Sequence, residues 1–78
     1  MYLEIITPDS TIYTGEVNLI QFPGYDGSFE VLNNHAPLIS VLKAGKIKVK
    51  DNNDKLQYFE INGGVVEVLK NMVLVLAE

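Results

Sequence analysis

The sequence predicts an all-β domain of roughly nine or ten short strands, arranged as a sandwich or a closed barrel. Three observations lead to this fold class. Apolar residues alternate with polar ones in short runs, and turn-forming residues separate these runs at spacings of roughly 5–12 residues. No segment keeps a helical period over about ten residues. A single open sheet of so many strands would expose an apolar face, so we expect a layered or closed arrangement.

Each predicted strand is a run of alternating or β-branched apolar residues that stops at a turn. In the first run, Leu3 and Ile5 share one face, and Thr7–Ser10 supplies the turn that follows. The run that ends at Phe22 is apolar on both faces, which favours a strand buried between two layers. The predicted strands are Met1–Ile6, Thr11–Thr14, Glu16–Phe22, Phe29–Leu32, Leu38–Leu42, Lys46–Lys50, Lys55–Asn62, Val65–Leu69 and Met72–Leu76.

Two clusters of turn-forming residues, Pro23–Gly27 and Asn33–Pro37, flank the short fourth strand. This punctuation predicts two sharp reversals of the chain. The only histidine, His35, lies in the second cluster. We favour an ordinary corner of a β-domain over a dedicated binding site.

A row of lysines, Lys46, Lys48 and Lys50, alternates with inward-facing Ile47 and Val49. The row could form a patch for an anionic partner. We favour the solvated face of an edge strand, where lysines also prevent pairing with the edge of another sheet.

Glycines and polar pairs mark the remaining predicted strand ends. Gly45 is expected to interrupt a strand, and Gly63–Gly64 permits a β-bulge or a close approach by another backbone. Asp51–Asp54 is predicted to be a hairpin loop and Lys70–Asn71 a tight turn.

Composition limits the possible functions. The chain has 78 residues, enough for one domain spanning residues 1–78, and contains no cysteine for a disulfide or a thiolate metal site. Its net charge is −4, with six lysines and no arginine, which argues against nucleic-acid binding. No apolar run approaches the roughly 20 residues of a membrane span, so we expect a soluble cytoplasmic protein.

The sequence provides few residues for catalysis. Ser10, Ser28 and Ser40 share one possible base, His35, and no spacing marks a nucleophile elbow. One histidine with scattered carboxylates is a poor ligand set for zinc, and there is no phosphate-binding loop. The sequence therefore predicts neither an enzyme nor a cofactor.

A contact surface remains as the most direct functional interpretation. Several apolar residues fall on the strand faces opposite the expected core: Tyr2, Ile6, Ile12, Tyr58 and Val75. If strand register makes such residues contiguous, they mark a partner interface.

Motifs along the whole chain resemble those of the epsilon subunit of the rotary ATP synthase, which is called delta in mitochondria. Their order and spacing are more specific than any one of them. The segments that show the resemblance are Leu3–Pro8, Tyr13–Val17, Phe22–Gly24, Gly27–Ile39, Gly45–Ile47, Ile61–Val68 and Asn71–Glu78.

The resemblance implies a two-sheet β-sandwich that performs no chemistry. In that family, the domain packs on the gamma subunit, stands on the polar loops of the membrane c-ring, and rotates with them in the central stalk. It also implies a peripheral location at the cytoplasmic face of the inner (plasma) membrane of a bacterium. By position, Ile12, Ala36, Tyr58 and Val75 match the gamma-facing side, and Ser28, Glu30 and His35 match the end facing the c-ring.

The chain departs from the family pattern at Glu30, where glycine is usual, and at Asn33–Asn34, where Pro-Gly is frequent. Many members also continue into a C-terminal helical hairpin beyond the position of Glu78, so we expect this chain to show no ATP binding and no hairpin-mediated inhibition. A free-standing β-sandwich that binds a small ligand or peptide is the alternative, and it requires a deep pocket instead of an exposed apolar face.

Overall fold

The computed structural model describes all 78 residues and contains six β-strands joined by turns. The prediction of an all-β fold is confirmed, whereas the prediction of nine or ten strands is wrong. No helix is present that could cross a membrane. The strands are β1 (Tyr2–Ile6), β2 (Thr11–Phe22), β3 (Phe29–Leu32), β4 (Leu38–Asp51), β5 (Leu56–Leu69) and β6 (Met72–Ala77).

The strands form one continuous sheet in the order β1-β6-β5-β4-β2-β3, which closes because β1 also pairs with β2. The five strands β1, β6, β5, β4 and β2 thus make a closed barrel, and β3 pairs with β2. β1 is parallel to β6 and antiparallel to β2. The two sheets implied by the resemblance are therefore continuous with each other through long strands.

The strand number is smaller than predicted because glycines expected to end strands lie inside them. Gly15 is within β2, Gly45 within β4, and Gly63–Gly64 within β5. The register between β4 and β5 is constant from Leu38↔Val68 to Lys50↔Leu56, so the predicted bulge at Gly63–Gly64 is absent. Glycine in a long strand instead allows the sharp bend that a small barrel needs.

At Gly63–Gly64, the inward and outward positions of β5 exchange phase. Before the pair, odd-numbered residues such as Ile61 face the core, and after it even-numbered residues such as Val66 and Val68 do so. Both glycines have positive φ values, 138° and 151°, which side chains rarely allow. The predicted close approach of another backbone is confirmed, because a Cβ on Gly64 would overlap the Leu76 carbonyl oxygen.

An irregularity in β2 explains why that strand reads as apolar on both faces. Its register against β4 shifts between Val17 and Leu19, so Val17, Ile20 and Phe22 all point into one core. β2 is therefore not buried between two layers, in contrast to the prediction from the sequence. The change of phase puts apolar residues from both sides of the sequence pattern into the same core.

The core contains only apolar side chains, and no polar or charged side chain is buried. Its members come from every strand, and half-buried Phe29 packs against core Phe22, with ring centroids 5.4 Å apart. The lysines of β4 face outward as predicted, while Ile47 and Val49 are fully buried. β4 is not an edge strand, however, because Lys48 pairs with both β2 and β5.

Two predicted turns are confirmed. Lys70 and Asn71 both have positive φ values, 51° and 62°, in the two-residue connection between β5 and β6. In the β4–β5 loop, the Asp51 carboxylate accepts hydrogen bonds from the backbone N–H groups of Asn53 and Lys55, at 2.8 and 3.0 Å.

Replacing Tyr13 by phenylalanine is expected to make the protein more resistant to alkaline unfolding. The Tyr13 ring packs on Phe59, with centroids 5.1 Å apart. Burial, and secondarily the Asp51 carboxylate, raises the pKa of the Tyr13 hydroxyl. The unfolded chain therefore loses this proton first, at a pH of about 10, so stability falls as the pH rises beyond that point.

Urea denaturation of the parent and of Tyr13→Phe at about pH 8 and about pH 11 tests this expectation. Phenylalanine keeps the ring packing and has no proton to lose, so the variant should lose less stability between the two pH values. Equal losses would contradict a contribution from Tyr13.

Candidate partner interface

One outer surface of the barrel is a contiguous set of apolar side chains, which we call the apolar face. It is formed by outward residues of β1, β6, the C-terminal half of β5 and the N-terminal part of β4. Its apolar members are Tyr2, Ile6, Ile39, Val41, Val65, Leu69, Met72, Leu74 and Leu76.

Strand register brings these residues together. One row across the four strands joins, in order, Val41, Val65, Leu76 and Ile6. Because paired residues on adjacent strands lie about 5 Å apart, each side chain in such a row touches or nearly touches the next. The set is therefore one surface and not scattered exposed residues.

The apolar face is open to solvent. Ile39 is 72% exposed, Met72 is 57% exposed and Leu76 is 51% exposed. Single exposed apolar residues are common, but a contiguous patch extending over four strands is typical of a surface that binds a partner.

The second row of the apolar face introduces charge. It joins, in order, Ile39, Glu67, Leu74 and Glu4. Neither carboxylate has a lysine or amino terminus within 4.0 Å, since the chain's ion pairs are Met1–Glu16 and Lys50–Asp54. Glu4, Glu67 and Leu74 also line a groove of about 250 Å³.

The four positions predicted to face gamma are distributed over different parts of the molecule. Val75 is fully buried in the core, so its predicted role in a side-chain contact is corrected. Ile12 is the extra residue of a bulge opposite β1, beside Ile6, and lies at one margin of the apolar face. Ala36 is exposed in the β3–β4 connection, next to the groove lined by Pro37 and Leu69 at the opposite margin.

Tyr58 lies on the other outer surface of the barrel. It is 57% exposed and pairs with Lys48. Its neighbour Phe59 packs on Tyr13 against the core, so Tyr58 projects outward from β5.

The residues predicted to face the c-ring are exposed but do not form one cluster. Ser28 and His35 lie beyond opposite ends of β3, which spans roughly 13 Å, and Glu30 is within it. The Ser28 hydroxyl accepts a hydrogen bond from Gln21 Nε2 at 3.2 Å. His35 Nδ1 lies 2.7 Å from the carbonyl oxygen of the next residue, Ala36.

Sequence reasoning missed most of the apolar face, although β6 contained a usable signal. Met72, Leu74 and Leu76 alternate with Val73 and Val75, so both sides of the strand are apolar. One side enters the core, and the other therefore needs a second covering surface.

The structure does not place His35 beside a serine nucleophile or further zinc ligands. No hydroxyl or carboxylate lies within hydrogen-bond distance of its ring, and no group of three or more potential metal ligands is present. Four grooves on the apolar face hold 180 to 340 Å³, around or below the low end of the roughly 300–1,000 Å³ typical of small-molecule pockets. A further cavity of about 500 Å³ lies between the β2–β3 connection and Ile39 and Val41 of β4, and its volume is within that range. For the four smaller grooves, a docking surface describes the geometry better than a ligand pocket.

Comparison with known proteins relates the whole chain to one family. Residues 1–78 match the family described as ATP synthase, Delta/Epsilon chain, beta-sandwich domain. The ATP synthase epsilon chain of Chlorobium limicola is 38% identical over 76 residues, covering 97% of this chain and 86% of that protein. The epsilon chain of Campylobacter concisus is 41% identical over 78 residues, covering 100% of this chain and 60% of that protein.

Solved structures show the same fold at lower identity. A chain of the Euglena gracilis mitochondrial ATP synthase has a TM-score of 0.90 and 23% identity, with 96% of this chain and 48% of that chain covered. A chain in the central stalk and c-ring structure of the Tetrahymena thermophila mitochondrial ATP synthase has a TM-score of 0.80 and 19% identity, with 97% and 61% covered.

Proposed function

The chain belongs to the family of ATP synthase delta and epsilon chain β-sandwich domains, and we propose that it is a non-catalytic subunit of the rotating central stalk. In this role it binds the gamma subunit and the polar loops of the c-ring, and so helps to couple proton flow to ATP synthesis. It acts as a single domain over residues 1–78.

The contiguous apolar face is the observation that supports a stalk role most strongly. A torque-transmitting subunit needs a broad, rigid contact, and this face extends over four hydrogen-bonded strands. We assign the gamma contact to the apolar face, with Ile12 and Ala36 at its margins. Tyr58, on the other outer surface, lies outside this assignment.

We assign the c-ring contact to the exposed β2–β3 end of the barrel, which holds Ser28 and Glu30. Glu30 places a carboxylate there, so the ring loops would meet a negative charge at that position. We also assign His35 to the c-ring contact, although it lies beyond the opposite end of β3. The subunit is then peripheral to the membrane, at the cytoplasmic face of a bacterial inner membrane.

Co-elution with the gamma subunit of the same complex on a sizing column tests the proposed function. A stable one-to-one complex is the expected result, because the exposed apolar face is available for burial. Failure to bind a demonstrably folded gamma subunit would overturn the stalk assignment.

A further inference from the structure

The charges in the central row of the apolar face are of one sign. Glu4 and Glu67 stand on either side of Leu74 in the central row, and Glu16 pairs with Tyr2 at the margin. Two lysines lie at its margins: Lys43, two residues beyond Val41 on the outward side of β4, and Lys70, in the turn between Leu69 and Met72. An apolar partner with acidic groups would meet repulsion on this surface.

We propose that the apolar face selects a partner segment that combines apolar side chains with lysine or arginine, and that Glu4 and Glu67 determine this choice. The inference rests on the proposed function only in treating the face as a docking surface. It specifies the chemistry of the partner, which the family assignment leaves open.

Position gives these two carboxylates more influence than ordinary surface charges have. Their strands are separated by β6 alone, so their backbones lie roughly 10 Å apart. Both have apolar neighbours along and across the strands, and Glu4 also borders Thr14 of β2. A docked partner would exclude water from this region. An unpaired carboxylate would then oppose binding, whereas one that meets a cation would favour it and fix the orientation of the partner.

Chemical-shift mapping with two designed peptides tests the inference. The first is an amphipathic helix of about 18 residues with leucine on one side and lysine on the other, and the second has glutamate in place of lysine. We expect the lysine peptide to shift the amide signals of β1, β6 and the C-terminal half of β5. The glutamate peptide should cause no such shifts.

Matched variants separate a specific effect from the general attraction of a basic peptide to an acidic protein. Glu4→Gln with Glu67→Gln should weaken the lysine peptide at least about fivefold and reduce the salt dependence of its binding. Asp54→Asn with Glu60→Gln removes the same charge elsewhere, at exposed positions away from both proposed contacts, and should weaken it less than about twofold.

Three results would overturn the inference: equal weakening by the two double variants, comparable binding of the glutamate peptide, or shifts centred on Lys48 and Tyr58. Gamma co-elution decides the proposed function separately. The peptide result therefore stands whether or not the parent chain binds gamma.

Discussion

Gly64→Ala is expected to destabilise the fold by at least about 3 kcal/mol. Gly64 has a φ of 151°, and a Cβ there would overlap the Leu76 carbonyl oxygen and lie 3.0 Å from Ala77 Cα. To relieve that overlap, β6 must move away from β5. This movement breaks the hydrogen bonds between the two strands, which together carry about half of the apolar face. A domain of this size has a total stability of only about 4–12 kcal/mol, so the variant should be partly unfolded at room temperature.

Gly27→Ala provides the control for backbone strain. Gly27 has a similar φ of 131°, but nothing lies within 4 Å of the position that its Cβ would occupy. Its replacement should cost only about 1–2 kcal/mol, the strain without the overlap. Urea denaturation followed by circular dichroism measures both variants. If the two variants lower the urea midpoint of unfolding equally, the close approach of β6 does not explain the requirement for glycine at position 64.

The same glycine pair shows how far the sequence could predict the fold. The alternation of apolar residues located most of the strand positions, and Lys70–Asn71 was recognisable as a turn. The sequence alone predicts strand ends at Gly45 and Gly63–Gly64, because glycine has a weak local preference for strands. Pairing along the whole of β4 and β5 overrides that preference, and local sequence holds no information about such distant partners.

The candidate site shows a second limit. The sequence predicts that Tyr2 and Ile6 face outward, but their contiguity with Val65 and Leu76 depends on the register of four strands. The wrong prediction that Val75 faces outward also arose from strand register. A strand that is apolar on both sides offers two possible inward sets, and a shift of one residue exchanges them.

Interface positions that are inferred from the family resemblance do not all fall on one surface. Ile12 and Ala36 lie beside the apolar face, but Tyr58 lies on the opposite surface, next to Lys48. Motif matching gives positions along the chain and contains no information on which side of a bent strand each one faces.

The variant Ile39→Gln with Leu76→Gln is expected to weaken gamma binding by about 2–3 kcal/mol, or roughly 30- to 150-fold. Both side chains line one groove on the apolar face and are 72% and 51% exposed, so a docked partner would bury substantial apolar area on them. Glutamine leaves the charge unchanged, which separates this effect from that of Glu4 and Glu67. Exposed positions also keep the cost to folding small.

Leu56→Gln with Tyr58→Gln is the matched control on the other outer surface. These side chains are 48% and 57% exposed on β5, so the pair removes comparable apolar surface. Titration calorimetry with the gamma subunit should show an affinity close to that of the parent for this control. The opposite outcome, loss of binding by the control alone, would place gamma on the Lys48 side of the barrel. Tyr58 would then be the contact that the sequence resemblance implies, and the apolar face would require a different partner.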